Sequence, residues 1–320
     1  MNPVRVAVIG VGYLGKFHAE KYAKLPDVEL VGVVDSNGDT AREVSRKLGV
    51  PCYTTHEHLD GKVDAVSIVV PTNLHHTIAR WCLIHGIDVL VEKPIAATLE
   101  EADDLVETAG THRRVLQVGH LERFNAAVAG LRGVLTTPLF IESHRLAPFK
   151  ERGTEVDVIL DIMIHDIDII LSMVGAPVTA IHAVGVPVIS ADKNDIANVR
   201  LEFATGCIAN ITASRISIKE MRKVRVFQPD TYISIDFAAR QTEVYKKISS
   251  GAGSDGPQIT YEQVAVDQAD ALEREIQAFI QCVMSRCEPE VSGREGRDAL
   301  KIALDIVEQV EAKKSALHIA

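Results

Sequence analysis

A largely apolar run, Val4 to Ile9, empties into Gly10-Val11-Gly12-Tyr13-Leu14-Gly15, and a helix-like stretch from Gly15 to Leu25 follows at once. Strand, glycine turn and helix in this order are what a dinucleotide fold requires, and each glycine has its own task. Gly10 permits the tight turn, Gly12 lets backbone N–H groups approach a pyrophosphate, and Gly15 lets helix and strand pack closely. The phosphates then face a helix N-terminus, where unsatisfied N–H groups and the helix dipole favour an anion.

Glycine-rich turns occur in many loops, so the bare pattern leaves an ordinary turn open. The next strand narrows the choice. Val28 to Val34 reads as a buried parallel strand ending in Asp35, about twenty residues past Gly15, where a ribose-binding acid is expected. A carboxylate there accepts hydrogen bonds from the adenosine ribose and repels a 2′-phosphate, so NAD is the expected cofactor. Arg42 lies nearby in sequence and keeps NADP open as the lesser alternative.

A chain of 320 residues has room for two domains with separate cores. Its 34 Lys+Arg against 44 Asp+Glu leave a net charge of −10, and no basic cluster interleaved with aromatics interrupts that balance. Nucleic acid and anionic membrane are therefore poor partners. No apolar run approaches the ~20 residues that span a bilayer, and the first residues read as a strand rather than a leader. A cytoplasmic protein is expected. Five scattered cysteines, an odd number, fit reduced thiols, and without a Cys-x-x-Cys pair the structural zinc of an alcohol dehydrogenase has no ligands.

Strand-like and helix-like stretches alternate up to Gly119, which argues for an α/β Rossmann domain over residues 1–119 with a doubly wound parallel sheet. Beyond it the pattern changes. Ile196 to Phe203, Cys207 to Ala213, Val224 to Phe227 and Tyr232 to Phe237 sit close together with turns between them, as in an antiparallel sheet. Ser249 to Gln258, rich in Gly, Ser, Asp and Pro, reads as a surface loop. Leu272, Ile276, Phe279, Ile280 and Val283 then recur at helical spacing, as do Leu300, Leu304 and Val307. Residues 120–320 thus read as an α+β domain with an open, mostly antiparallel sheet for substrate binding and oligomerisation. Such a free sheet face suits a partner copy, so a homo-oligomer, dimer or tetramer, is expected.

Two strand ends carry chemistry. Val89-Leu90-Val91-Glu92-Lys93-Pro94 puts a lysine just past a parallel strand, the edge where ligands bind in such folds. A solvated charge pair before a helix-starting proline is the plainer alternative. A cis bond at Pro94 would turn Lys93 inward. Upstream, Val70-Pro71-Thr72-Asn73-Leu74-His75 ends another strand at the same edge, where Thr72 or Asn73 reads locally as a helix cap.

These motifs resemble the Gfo/Idh/MocA oxidoreductases, and the resemblance covers nearly the whole chain: the glycine turn, Asp35, Pro71 to His75, Val89 to Pro94 and the second domain. It implies a nicotinamide site lined by Glu92 and Lys93, with Lys93 touching both cofactor and substrate hydroxyl. The coenzyme contacts it implies are Gly10, Gly12, Tyr13, Leu14, Gly15, Asp35, Ser36, Pro71, Thr72, Asn73, His75, Glu92 and Lys93. Glucose-6-phosphate dehydrogenases share a Glu-Lys-Pro but are much longer, with a different first phosphate loop. The family's other catalytic element, Asp-x-x-x-His, is supplied by Asp161 to His165. On a helix these positions share one face, so Asp161 can fix the tautomer of His165 while His165 exchanges a proton. A satisfied core histidine is the alternative. Val158, Ile159 and Met163 stand where many relatives carry glycine, which reshapes the pocket without removing the dyad.

Gly119 to Asn125 and Met163 to Asp168 look like the branch of that family that oxidises nucleotide sugars. Arg123, Asn125, Arg145 and Arg152 are the candidate substrate contacts, the arginines because guanidinium forks match diphosphate oxygens. His56, His58, His75 and His76 lack further ligands at suitable spacing, so no metal is expected. The expected activity is NAD-dependent oxidation of a ring hydroxyl on a sugar, cyclitol or nucleotide sugar, carried out between the two domains. Two alternatives stand beside it: a reductase or aldose-aldose oxidoreductase with tightly bound NAD(P), and a non-catalytic nucleotide-sensing regulator on the same fold. The joint presence of Lys93, Asp161 and His165 argues against a regulator.

Overall fold

The computed structural model describes residues 2–131, 133–150, 156–248, 258–264 and 270–317. The first stretch alternates as the sequence predicts: β1 (Val4–Ile9), α1 (Gly15–Tyr22), β2 (Val28–Val34), α2 (Gly38–Leu48), β3 (Cys52–Tyr53), β4 (Ala65–Ile68), α3 (His75–Ile84), β5 (Asp88–Glu92), α4 (Leu99–His112) and β6 (Leu116–Gly119). The six strands form one parallel sheet in the order β3-β2-β1-β4-β5-β6. The chain steps outward from β1 to β3 and then returns to β1's other side. That reversal opens a crevice at the carboxyl ends of β1 and β4, the place where such sheets bind ligands.

Helix starts differ in a telling way. Asn37 caps α2 by accepting the N–H groups of Asp39 and Thr40, and Thr98 and Glu101 form a capping box on α4. The start of α1, at the glycine turn, has no side-chain cap and no acid in its first turn.

The next stretch holds α5 (Ala126–Ala129), β7 (Phe140–Leu146), a π turn over Ile159–Met163, α6 (Ile164–Val174), β8 (Val178–Val186), β9 (Ile196–Phe203), β10 (Ile208–Ser214), β11 (Met221–Gln228), β12 (Thr231–Asp236), β13 (Gln241–Ile248) and β14 (Gln258–Val264). These eight strands form a sheet in the order β14-β13-β12-β11-β7-β10-β9-β8. All neighbours are antiparallel except β7 and β10, which run parallel. Alternating burial along β7, β9 and β10 turns one face inward, with the π turn and α6 packed against β10 and β7. The loop expected over Ser249 to Gln258 lies outside the described residues, save Gln258, which begins β14.

Two helices, α7 (Ala271–Ser285) and α8 (Gly293–Leu317), close the chain. Helix α7 and the start of α8 belong with the first unit. The structure forms two units, Met1–Leu121 with Asp270–Leu300, and Glu122–Ala269 with Lys301–Ala320, so residues 120–320 are not one continuous domain. The reason lies on the apolar face of α7. Ile276, Phe279, Ile280 and Val283 are buried among Val4, Val6, Val8, Tyr22 and Leu30, core residues of the first unit. Asp270 caps the helix start, and Lys21 bridges Asp270 and Glu273 at 3.0 and 3.1 Å. At the other end the Arg286 guanidinium meets the buried carboxylate of Asp88 at 2.6 Å. Phe279→Ala should cost about 3–5 kcal/mol, the range for deleting a buried aromatic ring. Denaturant unfolding with unchanged stability would show that α7 adds little to the first core.

Candidate functional site

The three glycines of the turn meet different surroundings. Gly10 has φ +84°, and a Cβ there would stand 2.3 Å from the Val69 carbonyl oxygen; a Cβ on Gly15 would stand 1.8 Å from the carbonyl oxygen of Gly10. Neither site admits a side chain. A Cβ on Gly12 would meet nothing within 4 Å, so packing does not demand glycine there. The space it leaves adjoins the uncapped start of α1, a fit for a pyrophosphate.

Asp35 ties this turn to the end of β2. Its Oδ2 accepts the Val11 N–H and its Oδ1 accepts the Asn37 N–H, both at 2.9 Å. Each oxygen keeps a lone pair for a further donor. The cleft beside it, about 400 Å³, is lined by Gly10, Gly12, Asp35, Ser36, Val70 and Pro71, all but Val70 expected coenzyme contacts. Tyr13 and Leu14 stand largely exposed on the glycine turn. The sequence reading missed the wall made by Thr54, Thr55, His56 and Glu57. That wall follows the two residues of β3, too short a strand to read from pattern. Arg42, the NADP signal, is paired with Asp39 at 2.6 Å.

Thr72 and Asn73 form a short 3₁₀ turn and supply no side-chain cap to α3. His75 is fully buried, so its ring does not face the cleft. Its Nδ1 lies 2.8 Å from the Pro94 carbonyl and its Nε2 lies 2.9 Å from that of Val70. Both partners are acceptors, so only a doubly protonated ring satisfies both; burial opposes that charge and holds the imidazole below its ordinary pKa, while Glu92 favours it. The residue acts as a brace between two strand-end loops. Lys93 is half-buried and the Lys93-Pro94 bond is cis.

In the second unit Asp161 lies inside the π turn and His165 in the first turn of α6, which corrects the expectation of one regular helix. The Ile164 N–H donates to the Ile159 carbonyl, five residues back, and such bulges recur at functional sites. Asp157 fixes the start of the turn: its Oδ1 accepts the Ile159 N–H at 2.9 Å, and its Oδ2 accepts the Asn194 amide at 2.6 Å. Val158, Ile159 and Met163 are fully buried, while Asp161 and His165 are half-buried.

The candidate diphosphate contacts fare differently. Arg145 is buried and already matched, to Asp166 through two bonds of 2.9 and 3.0 Å and to Glu122 at 2.9 Å. Burial works against its charge, but those two carboxylates hold the guanidinium above its ordinary pKa. It is a structural ion-pair centre, not an open phosphate fork. Asn125 caps α5 and donates to Glu122 and to the Phe237 carbonyl. Arg123 lies 3.5 Å from Asp168. Arg152 lies outside the described residues.

A model of an oxidoreductase family with an NAD-binding Rossmann fold matches residues 4–120, and that of the GFO/IDH/MocA C-terminal domain matches residues 126–231. The chain belongs to the Gfo/Idh/MocA family and is an NAD-dependent oxidoreductase. It is 38% identical to the UDP-N-acetylglucosamine 3-dehydrogenase of Acidithiobacillus ferrooxidans, over 98% of this chain and 99% of that one. It is 29% identical to the myo-inositol 2-dehydrogenase of Thermotoga maritima, with 98% of each covered. Against a solved structure of the Acidithiobacillus enzyme the TM-score is 0.90, at 37% identity, with 98% and 99% of the two chains covered. A levoglucosan dehydrogenase solved with NADH and levoglucosan shares the fold, with a TM-score of 0.84 at 20% identity over 97% and 98% of the chains.

Replacing Arg145 by Met would strand two carboxylates, one of them fully buried, and should cost about 3–5 kcal/mol. Thermal unfolding that leaves the midpoint where it was would contradict this account of Arg145.

Proposed function

We propose that this chain oxidises a secondary ring hydroxyl of a nucleotide sugar to a ketone, with UDP-N-acetylglucosamine and its 3-hydroxyl the first substrate to test. The observation that carries the reading is the 38% identity to a UDP-N-acetylglucosamine 3-dehydrogenase, which extends over 98% of the chain and so takes in both units. Sugar and cyclitol hydroxyls form the wider class, since the relative at 29% identity is an inositol dehydrogenase.

In this reading the glycine turn and the start of α1 bind the pyrophosphate, Asp35 takes the adenosine ribose hydroxyls, and Lys93 and Glu92 flank the nicotinamide. NAD, when bound, accepts the hydride from the substrate carbon. His165 takes the hydroxyl proton, Asp161 orients its imidazole, and the Lys93 ammonium stabilises negative charge growing on the oxygen. Asp161 and His165 are both half-buried and lie four residues apart across the end of the π turn.

The protein is taken to work in the cytoplasm as a homo-oligomer. No helix among the described residues is long and apolar enough to cross a membrane. Phe140, Phe227, Tyr232, Tyr245 and Tyr261 stand directly opposite one another across five neighbouring strands, with ring centroids 5.0 to 5.6 Å apart. Phe227 and Tyr261 are exposed, and an apolar ladder of that size suits a second copy.

Reduced-nicotinamide absorbance, followed across UDP-sugars, free sugars and inositols, should rise first with UDP-N-acetylglucosamine. A rise only with inositols would displace the nucleotide-sugar assignment. Lys93→Met should keep NAD binding and lower kcat about 10²- to 10⁴-fold; turnover at the parent rate would remove Lys93 from the reaction. Asp35→Arg should raise the kcat/KM ratio of NADP to NAD, and an unmoved ratio would count against Asp35 as the ribose acid.

A further inference from the structure

Behind the Glu-Lys-Pro loop lies a group of acids and bases of which the reaction above uses Glu92 alone. Glu275, on the face of α7 turned into the first core, is fully buried, and neither of its carboxylate oxygens has a hydrogen-bond partner. One oxygen of Glu275, one of Glu92 and a ring nitrogen of His18 lie within 4.8 Å of one another. His18, itself buried, approaches Glu92 at 3.4 Å through Nε2 and Ser67 at 3.3 Å through Nδ1; Ser67 in turn meets the Tyr22 hydroxyl at 2.8 Å. Room for the Glu92 carboxyl comes from Gly119 across the β5–β6 pair, where an added Cβ would stand 3.1 Å from it.

Two carboxylates this close repel each other, and Glu275, fully buried, has no water to offset its charge while Glu92 keeps some exposure, so ionising both is strongly disfavoured. The environment decides which keeps the proton. Burial works against the Glu92 charge, yet His18 and Lys93 hold this carboxyl below its ordinary pKa, whereas burial and the Glu92 charge push Glu275 well above its own. The other polar groups around the site are Tyr22 on α1, His75 on α3 and Gln117 on β6, whose side-chain amide donates to the Glu275 backbone carbonyl. None of them brings a cation to Glu275. Lys21, the near basic residue on α1, is spent on Asp270 and Glu273.

We propose that Glu275 is a positioning residue, carried as a neutral acid that turns its hydroxyl toward the Glu92 carboxylate and so holds Glu92 against the Lys93 backbone. The last link is in place, since the Lys93 N–H donates to Glu92 Oε2 at 3.3 Å. The proton replaces repulsion between two negative charges with attraction of the Glu275 hydroxyl dipole to the Glu92 charge. Glu92 then keeps one negative charge and one orientation. Removing the proton from Glu275 would drive the carboxyls apart and loosen the backbone that carries the lysine.

Infrared difference spectra of the full-length protein, titrated across neutral pH, test the protonation directly. Carbon-13 labelling of glutamate carboxyls should reveal a carboxylic-acid carbonyl band that persists above neutral pH and disappears in Glu275→Gln. A wild-type spectrum without such a band, or one kept by the variant, overturns the proposal, and so does stoichiometric divalent metal on elemental analysis. The catalytic consequence rests on the dehydrogenase reading and is measured separately. Glu275→Leu should lower kcat about tenfold with little change in KM for NAD, and Glu275→Gln, which can still donate to Glu92, should recover most of the loss. Equal losses in both variants overturn the positioning role. An infrared band that behaves as stated, in a protein inactive on every sugar tried, would leave the acid pair standing and remove the proposed activity instead.

Discussion

The backbone of Gly10 passes so close to the Val69 carbonyl, and that of Gly15 so close to Gly10, that no side chain fits at either place. This double contact locks the end of β1, the end of β4 and the start of α1 into one corner. Everything around the crevice takes its position from there. Asp35 reaches over to the same turn and accepts the Val11 N–H, so the acid that would discriminate between coenzymes also fixes the loop that would hold the phosphates. The His75 ring likewise lies between the neighbouring loops, set between the carbonyls of Val70 and Pro94.

Buried charge in this protein is organised in two ways. Asp166 and Glu122 share one guanidinium, that of Arg145, and each carboxylate is held by it at hydrogen-bond distance. Such sets add little net stability over an apolar core, but they penalise any structure that separates their members. In the group of His18, Glu92 and Glu275 the excess acid is left without such a bond, since neither Glu275 oxygen has a hydrogen-bond partner. A fully buried acid without a partner is where a proton becomes a structural component, and Glu92 beside it is one residue from the lysine of the strand-end motif.

The parallel sheet and its crevice were readable because their signals are local: alternating apolar runs, glycines at fixed offsets and an acid at the end of β2. The antiparallel grouping of the later strands was readable from spacing, though the parallel pairing of β7 and β10 was not, since it joins segments far apart in sequence. Helix α7 was correctly read as amphipathic. Its partner was not, because a periodic pattern tells which face is apolar and says nothing about what covers it. The same blindness affected single residues. Arg145 reads as a free guanidinium until Asp166 and Glu122 are seen around it, and His75 reads as a cleft residue until its ring turns inward. Asp161 and His165 have the spacing of a helical pair, but the π turn between Ile159 and Met163 follows from core packing and the Asp157 hydrogen bonds.

The first unit is discontinuous, and that has a bearing on how the chain is made. Its early strands can be assembled on the ribosome well before Ile276, Phe279 and Val283 exist, which leaves the flank of β1 and α1 with an open apolar trench while the whole second sheet is being synthesised. Apolar surface left open in that way favours association with other chains until it is covered. Its core closes only when α7 emerges, so translation near the end of the message, rather than completion of the glycine turn, times the arrival of a finished nucleotide-binding unit.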